Sequence, residues 1–407
     1  MSATTGWRSR WFDPGNPFLV VGGALLIFGA PFSNALTEIS SVLALWGLLL
    51  AAWRRSWKVP DMLLALIVAW LAACAISAAG STDPALSWRA LVRKTGPYAW
   101  LALAGAQLGR TRHGERLLVL LAWVGVVVAV DAWLQGVVGH DPIRGRLPHG
   151  SRLTGPFNSP NNLASFLLIV MPLQLWMVMQ RPRSWRAAGW VIALAMGTLI
   201  LARADSRSVW VALGAAVIVL LAVGRSATRL GVGICSLVAG IWAWYATAAG
   251  GAEGWHLDPG RAEGWNIAWQ MFRDAPIRGI GLGTYMEQYM RYPQFEGQWP
   301  RPQYAHNCYL QILAEGGAIG LATFLAMVGW VGAVVVTRLR QHGPMGSRLL
   351  PGLAAALAAL LLNIGIDTAL YSLPLASLWW FLLGLAAGMA MSSADSADAP
   401  SACAAPC

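Results

Sequence analysis

Long apolar segments constrain the fold of this chain more than any other feature of its sequence. Each comes close to the roughly 20 mostly apolar residues that an α-helix needs to cross a bilayer. The segments lie at about 17–33, 35–53, 60–79, 93–109, 116–138, 161–180, 185–203, 207–224, 228–249, 316–337, 349–370 and 374–391. The sequence therefore predicts an all-α polytopic membrane protein with about 12 transmembrane helices.

The composition excludes the main soluble classes. Charged residues make up 12% of the chain and hydrophobic residues 57%, whereas an average soluble domain has about 25% charged residues. So few charges exclude a cytosolic enzyme and a disordered chain, and the cysteine spacing fits neither a disulfide-rich domain nor a zinc site. The 23 tryptophans, against 10 phenylalanines and 8 tyrosines, are typical of chains that place indole rings at bilayer interfaces.

The distribution of basic residues predicts the orientation of the chain. With the N-terminus in the cytoplasm, sixteen of the 29 Lys and Arg residues fall on inner segments. This positive-inside pattern places both termini in the cytoplasm. An alternative is that the first span is a cleaved signal peptide, because Ser33-Asn34-Ala35 has a small-x-small pattern. That cleavage would leave the new N-terminus outside.

The thirteen remaining basic residues face outward in this topology. The sixteen inner residues account for most of the net charge of +11, so that charge does not indicate nucleic acid as a partner. Arginine stays charged and makes bidentate contacts to phosphate, so several outer arginines that converge would form an anion site. The alternative is ordinary snorkelling of single arginines, with a local ion pair to Asp205.

One long outer connection interrupts the apolar segments. It contains RAEGWNIAWQMFRD, where Trp265, Trp269 and Phe272 form the apolar stripe of an amphipathic helix at the outer interface. Alternating glycines in APIRGIGLGTY predict a turn that brings backbone close to another element. The predicted domains are 1–249 (helices 1–9), 250–315 (outer loop with the candidate functional segments), 316–391 (helices 10–12) and 392–407 (disordered cytoplasmic tail).

The segment YAHNCYLQILAEGGAIG joins this loop to the next span. His306 is a candidate general base, because its pKa suits proton transfer near neutrality; the alternative is an interfacial histidine bonded to a carbonyl. A helix from 306 places Asn307, Gln311 and Glu315 within an arc of about 80°, and Glu315 about 180° from His306. No histidine spacing indicates a metal site.

Four segments in order resemble the bacterial O-antigen ligase family, within the larger ligase and polymerase superfamily. This similarity covers about 150–325 by motif and the whole chain by the number of spans. The segments are RLTGPFNSPNNLASFL (152–167), ADSRSVWVAL (204–213), RAEGWNIAWQMFRDAPIRGIGLGTY (261–285) and HNCYLQILAEGGAIG (306–320).

This resemblance implies a GT-C-like, metal- and ATP-independent glycosyltransferase without a cofactor. Such enzymes transfer a finished glycan from undecaprenyl diphosphate to lipid A–core at the periplasmic face, and a single displacement would invert the anomeric centre. The expected partners are the lipid-linked donor, the lipid A–core acceptor and membrane lipids. The resemblance implies that the catalytic residues are His306, Arg207 and Arg261, and the substrate-binding residues are Arg152, Asn161, Arg203, Glu315, Asn307 and Gln311.

Other functions remain open from the sequence. An O-antigen polymerase or a protein O-oligosaccharyltransferase of the same superfamily shares the donor chemistry and differs only in the acceptor. A lipid or polysaccharide transporter is a different class, which predicts broken helices and acidic relays within the membrane. Asp131 and Asp367 are acids inside predicted spans, but both lie near outer ends, and neither has a second acid in a relay pattern.

Overall fold

The computed structural model describes residues 16–180, 184–223, 259–293, 304–342 and 348–392, and this part of the chain contains helices and no β-strand. The α-helices, numbered over the described residues, are α1 (Pro17–Phe32), α2 (Asn34–Trp53), α3 (Asp61–Ala79), α4 (Pro84–Ala90), α5 (Gly96–Gly109), α6 (His113–Val138), α7 (Pro160–Gln180), α8 (Trp185–Ala204), α9 (Arg207–Val223), α10 (Pro259–Asp274), α11 (Tyr285–Gln288), α12 (Cys308–His342), α13 (Leu350–Asn363) and α14 (Leu373–Ala390).

The structure confirms an all-α membrane protein. Seven of the described helices, α2, α3, α6, α7, α8, α12 and α14, are long and apolar enough to cross a membrane, and α1, α9 and α13 are shorter apolar helices. The count of twelve spans stays a prediction. The predicted span at 228–249 and the predicted tail after residue 392 lie outside the described residues.

Two predicted spans differ in their bounds. The span at 349–370 is wrong over its last third, because α13 ends at Asn363 and the chain then turns toward a short 3-10 helix at Ala369–Tyr371. The span at 93–109 begins instead as a π-helical turn, Leu91–Thr95, before α5. A π turn often accompanies a functional site. Here the turn contains Lys94, which lines a cavity in the bundle.

Helices α5 and α14 approach each other through glycines on both sides. A Cβ built on Gly384 would lie 1.8 Å from the Ala102 carbonyl oxygen, and one on Gly105 would lie 2.1 Å from the Phe381 carbonyl oxygen. Gly109 and Gly388 repeat this arrangement four residues later on each helix. The two backbones are therefore in direct contact, as in small-xxx-small pairs of membrane helices.

Helices α7 and α14 form the centre of the bundle. Almost every side chain on them is buried, including Phe166, Trp176, Trp379 and Phe381. A helix that is apolar on all sides requires neighbours on all sides. Helix α7 packs on α6, α8, α9 and α13, and α14 packs on α1, α5, α12 and α13.

Helix α10 confirms the predicted helix at 261–274 and packs on the side of the bundle. Its buried face carries Ile267, Ala268 and Met271, which join a separate apolar cluster with Tyr285 and Tyr289. The predicted aromatic stripe lies on the other, more exposed side: Trp269 is 48% exposed and its ring contacts that of Phe272. This placement suits a helix whose aromatic side chains meet the bilayer interface.

Candidate functional site

His306 lies in the turn that precedes α12. Its backbone has a φ of +49°, in the left-handed region that residues other than glycine rarely adopt. The next residue ends this turn, because the Asn307 side-chain oxygen accepts a hydrogen bond from the Leu310 N–H at 3.1 Å. Asn307 thus caps the helix, which begins at Cys308, two residues later than predicted.

An acidic partner of His306 comes from a distant part of the sequence. The Nδ1 atom of His306 lies 3.9 Å from an Asp367 carboxylate oxygen, and Asp367 is buried. Hydrogen bonds hold this acid in place: the Thr368 N–H donates to its carboxylate at 2.7 Å, and the Cys308 thiol donates to its carbonyl at 3.2 Å. Asp367 is therefore a site residue that sequence reasoning considered only as an isolated intramembrane acid.

Arg152 connects three elements at the same end of the bundle. Its Nε donates to the Ala204 carbonyl at 2.9 Å, and its Nη2 donates to the Asn161 side-chain oxygen at 2.9 Å and to the Asp205 carbonyl at 3.2 Å. These bonds join the loop before α7, the first turn of α7 and the end of α8. The two residues Arg152 and Asn161, both expected at the site, are in direct contact.

Electrostatic effects on Arg152 link it to the histidine pair. Burial lowers the pKa of its guanidinium, Asp205 opposes this shift, Arg261 adds to it, and Asp367 opposes it. Such effects require charges that lie near one another. The pKa of the Arg152 guanidinium thus responds both to Arg261 on α10 and to the acid beside His306, which makes these charges members of one candidate site.

Arg203 and Arg207 flank the tight turn between α8 and α9. Asp205 forms this turn with a φ of +48°, and the Arg203 carbonyl accepts a hydrogen bond from the Leu153 N–H at 3.1 Å. Both arginine side chains are exposed. Within the part of the chain that the structure describes, the guanidiniums of Arg207 and Arg261 have no hydrogen-bonding partner.

The Glu315 carboxylate is buried and bonded on several sides. The Tyr285 N–H donates to one oxygen at 3.3 Å and the Tyr371 hydroxyl to the other at 3.4 Å, and the Gln311 side chain and the Gly283 N–H also donate to it. Burial raises the pKa of the Tyr371 hydroxyl far above its ordinary value, and Glu315 adds to this shift, so Tyr371 remains a donor. These contacts explain how a carboxylate is accommodated at the membrane edge.

The alternating glycines contact α12, as predicted from their spacing. Gly279, Gly281 and Gly283 all have positive φ, and the N–H groups of Ile280 and Gly281 donate to the carbonyls of Ala314 and Glu315 at 3.0 and 3.1 Å. Gly317, with a φ of +64°, bends α12 where the loop crosses it. This glycine turn of the loop therefore holds the part of α12 that follows His306.

A cavity of about 120 Å³ extends from this region into the bundle. Its walls are mainly apolar and aromatic, with Trp70, Phe324 and Trp380 among them, and its polar lining includes Lys94 and Tyr371. The rings of Tyr371 and Tyr304 pack 5.7 Å apart between the cavity and the turn that holds His306. The charged residues in this lining are Lys94 and Glu315, so an apolar chain in the cavity would lie beside them.

Metal-ligating side chains do not cluster within the described ranges. No group of three or more His, Cys, Asp or Glu side chains that could hold a metal ion is present among these residues. The charged groups that influence the pKa of Arg152 are Asp205, Arg261 and Asp367, and His306 lies 3.9 Å from Asp367.

Comparison with known families matches the middle of the chain. Residues 190–325 match the family model described as O-Antigen ligase, and no curated protein matches the chain. The matched segment contains Arg203, Arg207, Arg261, His306 and Glu315. Arg152, Asn161 and Asp367 lie outside it, and their association with the site comes from the contacts described above.

Proposed function

We propose that this chain, whose residues 190–325 match the O-Antigen ligase family model, transfers an O-antigen polysaccharide from undecaprenyl diphosphate to lipid A–core at the periplasmic face of the bacterial inner membrane. The reaction needs neither ATP nor a metal. The observation that supports this proposal is the His306–Asp367 pair at 3.9 Å, together with Arg152, which is held by Asn161 and the Asp205 carbonyl and whose pKa responds to Asp367 and Arg261.

The arginines would bind the leaving group. As the bond between the sugar and the lipid diphosphate breaks, negative charge develops on the diphosphate and must be stabilised by fixed positive groups. Arg152 is held in place by Asn161 and two carbonyls. Arg207 and Arg261 would complete the diphosphate site with side chains that have no hydrogen-bonding partner in the described residues.

His306 would act as the general base. Its ring is partly exposed, and Nδ1 faces Asp367, which leaves Nε2 as the nitrogen that can take the proton of the acceptor hydroxyl. The acceptor oxygen forms a bond to the anomeric carbon while the bond from that carbon to the diphosphate oxygen breaks. Asp367 would orient the imidazole for this proton transfer, a positioning role.

The apolar cavity supports binding of the donor lipid. Its aromatic walls would pack against part of the polyprenyl chain, and Lys94 adds positive charge at its edge. The glycan would then extend outward from the diphosphate, away from the bundle.

The test is glycan transfer by the purified protein, with a lipid-linked polysaccharide donor and lipid A–core as acceptor. Arg261→Ala and His306→Ala should abolish the product. The matched controls are Arg273→Ala, which removes an exposed arginine from the same helix α10, and His149→Ala, which removes an exposed histidine from the loop before α7. Wild-type activity in both site variants would refute the site assignment.

The acceptor distinguishes the related activities. Transfer to lipid A–core identifies a ligase, elongation of a second lipid-linked repeat identifies a polymerase, and transfer to a protein identifies an oligosaccharyltransferase. Product formed without ATP would exclude a transporter. Each acceptor is offered separately to the same preparation, so that the products can be compared directly.

A further inference from the structure

A second cavity lies at the other end of α7 from Asn161. It has a volume of about 490 Å³ and is lined by Gln180, Ser184, Trp185, Arg186, Trp190 and Arg348, among others. Asn161 is in the first turn of α7, and Gln180 is the last of its 21 residues. A helix of this length spans about 30 Å, roughly the thickness of the hydrocarbon core. This cavity therefore lies at the opposite membrane face from the candidate transfer site.

The backbone of Arg348 is fixed in this cavity. Its carbonyl accepts hydrogen bonds from the indole N–H of Trp176, at 2.6 Å, and from the Gln180 side chain. Its own N–H donates to a carboxylate oxygen of Glu115 at 2.8 Å. The side chain is exposed and lines the cavity. The backbone that carries the guanidinium is therefore held in place, while the guanidinium itself is exposed in the cavity.

Arg186 provides a second positive charge next to an aromatic wall. It is in the first turn of α8, and its guanidinium carbon lies 5.4 Å from the ring centre of Trp185, which is 81% exposed. Trp190 also lines the cavity, and its ring packs 4.9 Å from that of Trp123 on α6. Exposed tryptophans beside arginines are typical of the bilayer interface.

From this arrangement we propose that the cavity binds the phosphate headgroup of an anionic phospholipid. Two arginines on opposing segments complement a phosphate, and the indoles of Trp123 and Trp190 provide an apolar surface for the acyl chains. The basic residues of the sequence predict that this end faces the cytoplasm, where basic pockets between helices bind anionic lipids. This binding does not depend on the proposed glycan transfer.

The test is lipid retention by the full-length purified protein, measured by native mass spectrometry. The probes are cardiolipin, phosphatidylglycerol, phosphatidylethanolamine and inorganic phosphate, each added separately. Cardiolipin and phosphatidylglycerol should be retained in preference to phosphatidylethanolamine. Arg186→Ala and Arg348→Ala should each weaken retention about fivefold, whereas Arg186→Lys should largely preserve it.

The control variant is Arg112→Ala, which removes an exposed arginine at the same predicted face but outside the cavity. A thermal melt of each variant checks folding, and both cavity arginines are exposed, so their removal should leave the bundle intact. Equal retention of phosphatidylethanolamine, equal weakening by Arg112→Ala, or binding of inorganic phosphate as tight as that of the lipids would overturn the proposal.

Discussion

The glycine contact between α5 and α14 predicts a large effect from one methyl group. In Gly384→Ala, the new Cβ would lie 1.8 Å from the Ala102 carbonyl oxygen, and real Cβ atoms essentially never approach closer than 3.0 Å. The two helices would therefore have to separate locally by about 1 Å, the kind of backbone shift that overpacking forces. Both helices meet through backbone atoms, so a side-chain rotation cannot relieve the clash.

This separation also weakens the neighbouring contacts. Gly105, Gly109 and Gly388 depend on the same backbone approach, so the dispersion energy of the whole contact falls with distance. Overpacking of a closely packed contact costs about 1–3 kcal/mol. Alanine recovers less than about 1 kcal/mol through its higher helix propensity. We therefore expect Gly384→Ala to lower the free energy of unfolding by about 1–2 kcal/mol.

The assay is unfolding of the purified protein in mixed micelles, followed by tryptophan fluorescence. The matched control is Gly332→Ala on α12, where no atom lies within 4 Å of the new Cβ. The control should be neutral or slightly stabilising, because only helix propensity changes. If both variants unfold at the same denaturant concentration, then the backbone contact does not stabilise the bundle and the reasoning is wrong.

Three further predictions concern the candidate site. Asp367→Asn should lower kcat of glycan transfer about 10- to 100-fold with little change in KM, because the acid lies 3.9 Å from Nδ1 of His306 and acts on the charge that develops there in the transition state. A pair of charges at about 4 Å is worth at most about 4 kcal/mol near a protein surface, and partial exposure of His306 reduces this value. Tyr371→Phe removes a donor from the buried Glu315 and should cost about 1–3 kcal/mol of stability in a denaturation experiment. Gly281→Ala should cost about 2 kcal/mol or more in the same experiment, because a strained backbone and a steric clash add together. The φ of Gly281 is +123°, and the new Cβ would lie 1.9 Å from the Ser81 hydroxyl oxygen.

Each of these three variants has an outcome that would contradict the role given to the residue. An Asp367→Asn enzyme with unchanged kcat would show that the acid does not act through His306. If the Tyr371→Phe protein is as stable as wild type, then the hydrogen bond from Tyr371 does not stabilise the buried Glu315. For Gly281→Ala, the control is Gly150→Ala, where φ is +64° but no atom lies within 4 Å; equal losses in the two variants would show that only the backbone angle matters.

The helices were predictable from the sequence because the bilayer imposes one length and one polarity on each of them. The starts of α2, α3 and α7 lie within one residue of the predicted spans. The pairing of Gly105 with the glycines of α14 was not predictable in this way. Hydropathy describes each helix alone, whereas helix contact depends on which faces meet in the folded bundle.

The site was predictable only in part, for the same reason. Local motifs predicted Arg152 and Asn161, which are in contact, and the turn at Gly279. Asp367 was missed as a partner of His306, because its position depends on the chain after α13 folding back toward the start of α12. The sequence predicted Glu315 near substrate, but the structure surrounds its carboxylate with donors from the loop and from Tyr371.

The left-handed backbone at His306 and Asp205 affects how substitutions at the site should be chosen. This conformation costs a residue with a Cβ about 1–2 kcal/mol, whereas glycine adopts it without that cost. His306→Gly would therefore remove the imidazole and relax the backbone together, while His306→Ala keeps the backbone cost. A glycine variant that folds better than the alanine variant, yet transfers no glycan, would separate the chemistry of the side chain from the stability of the turn.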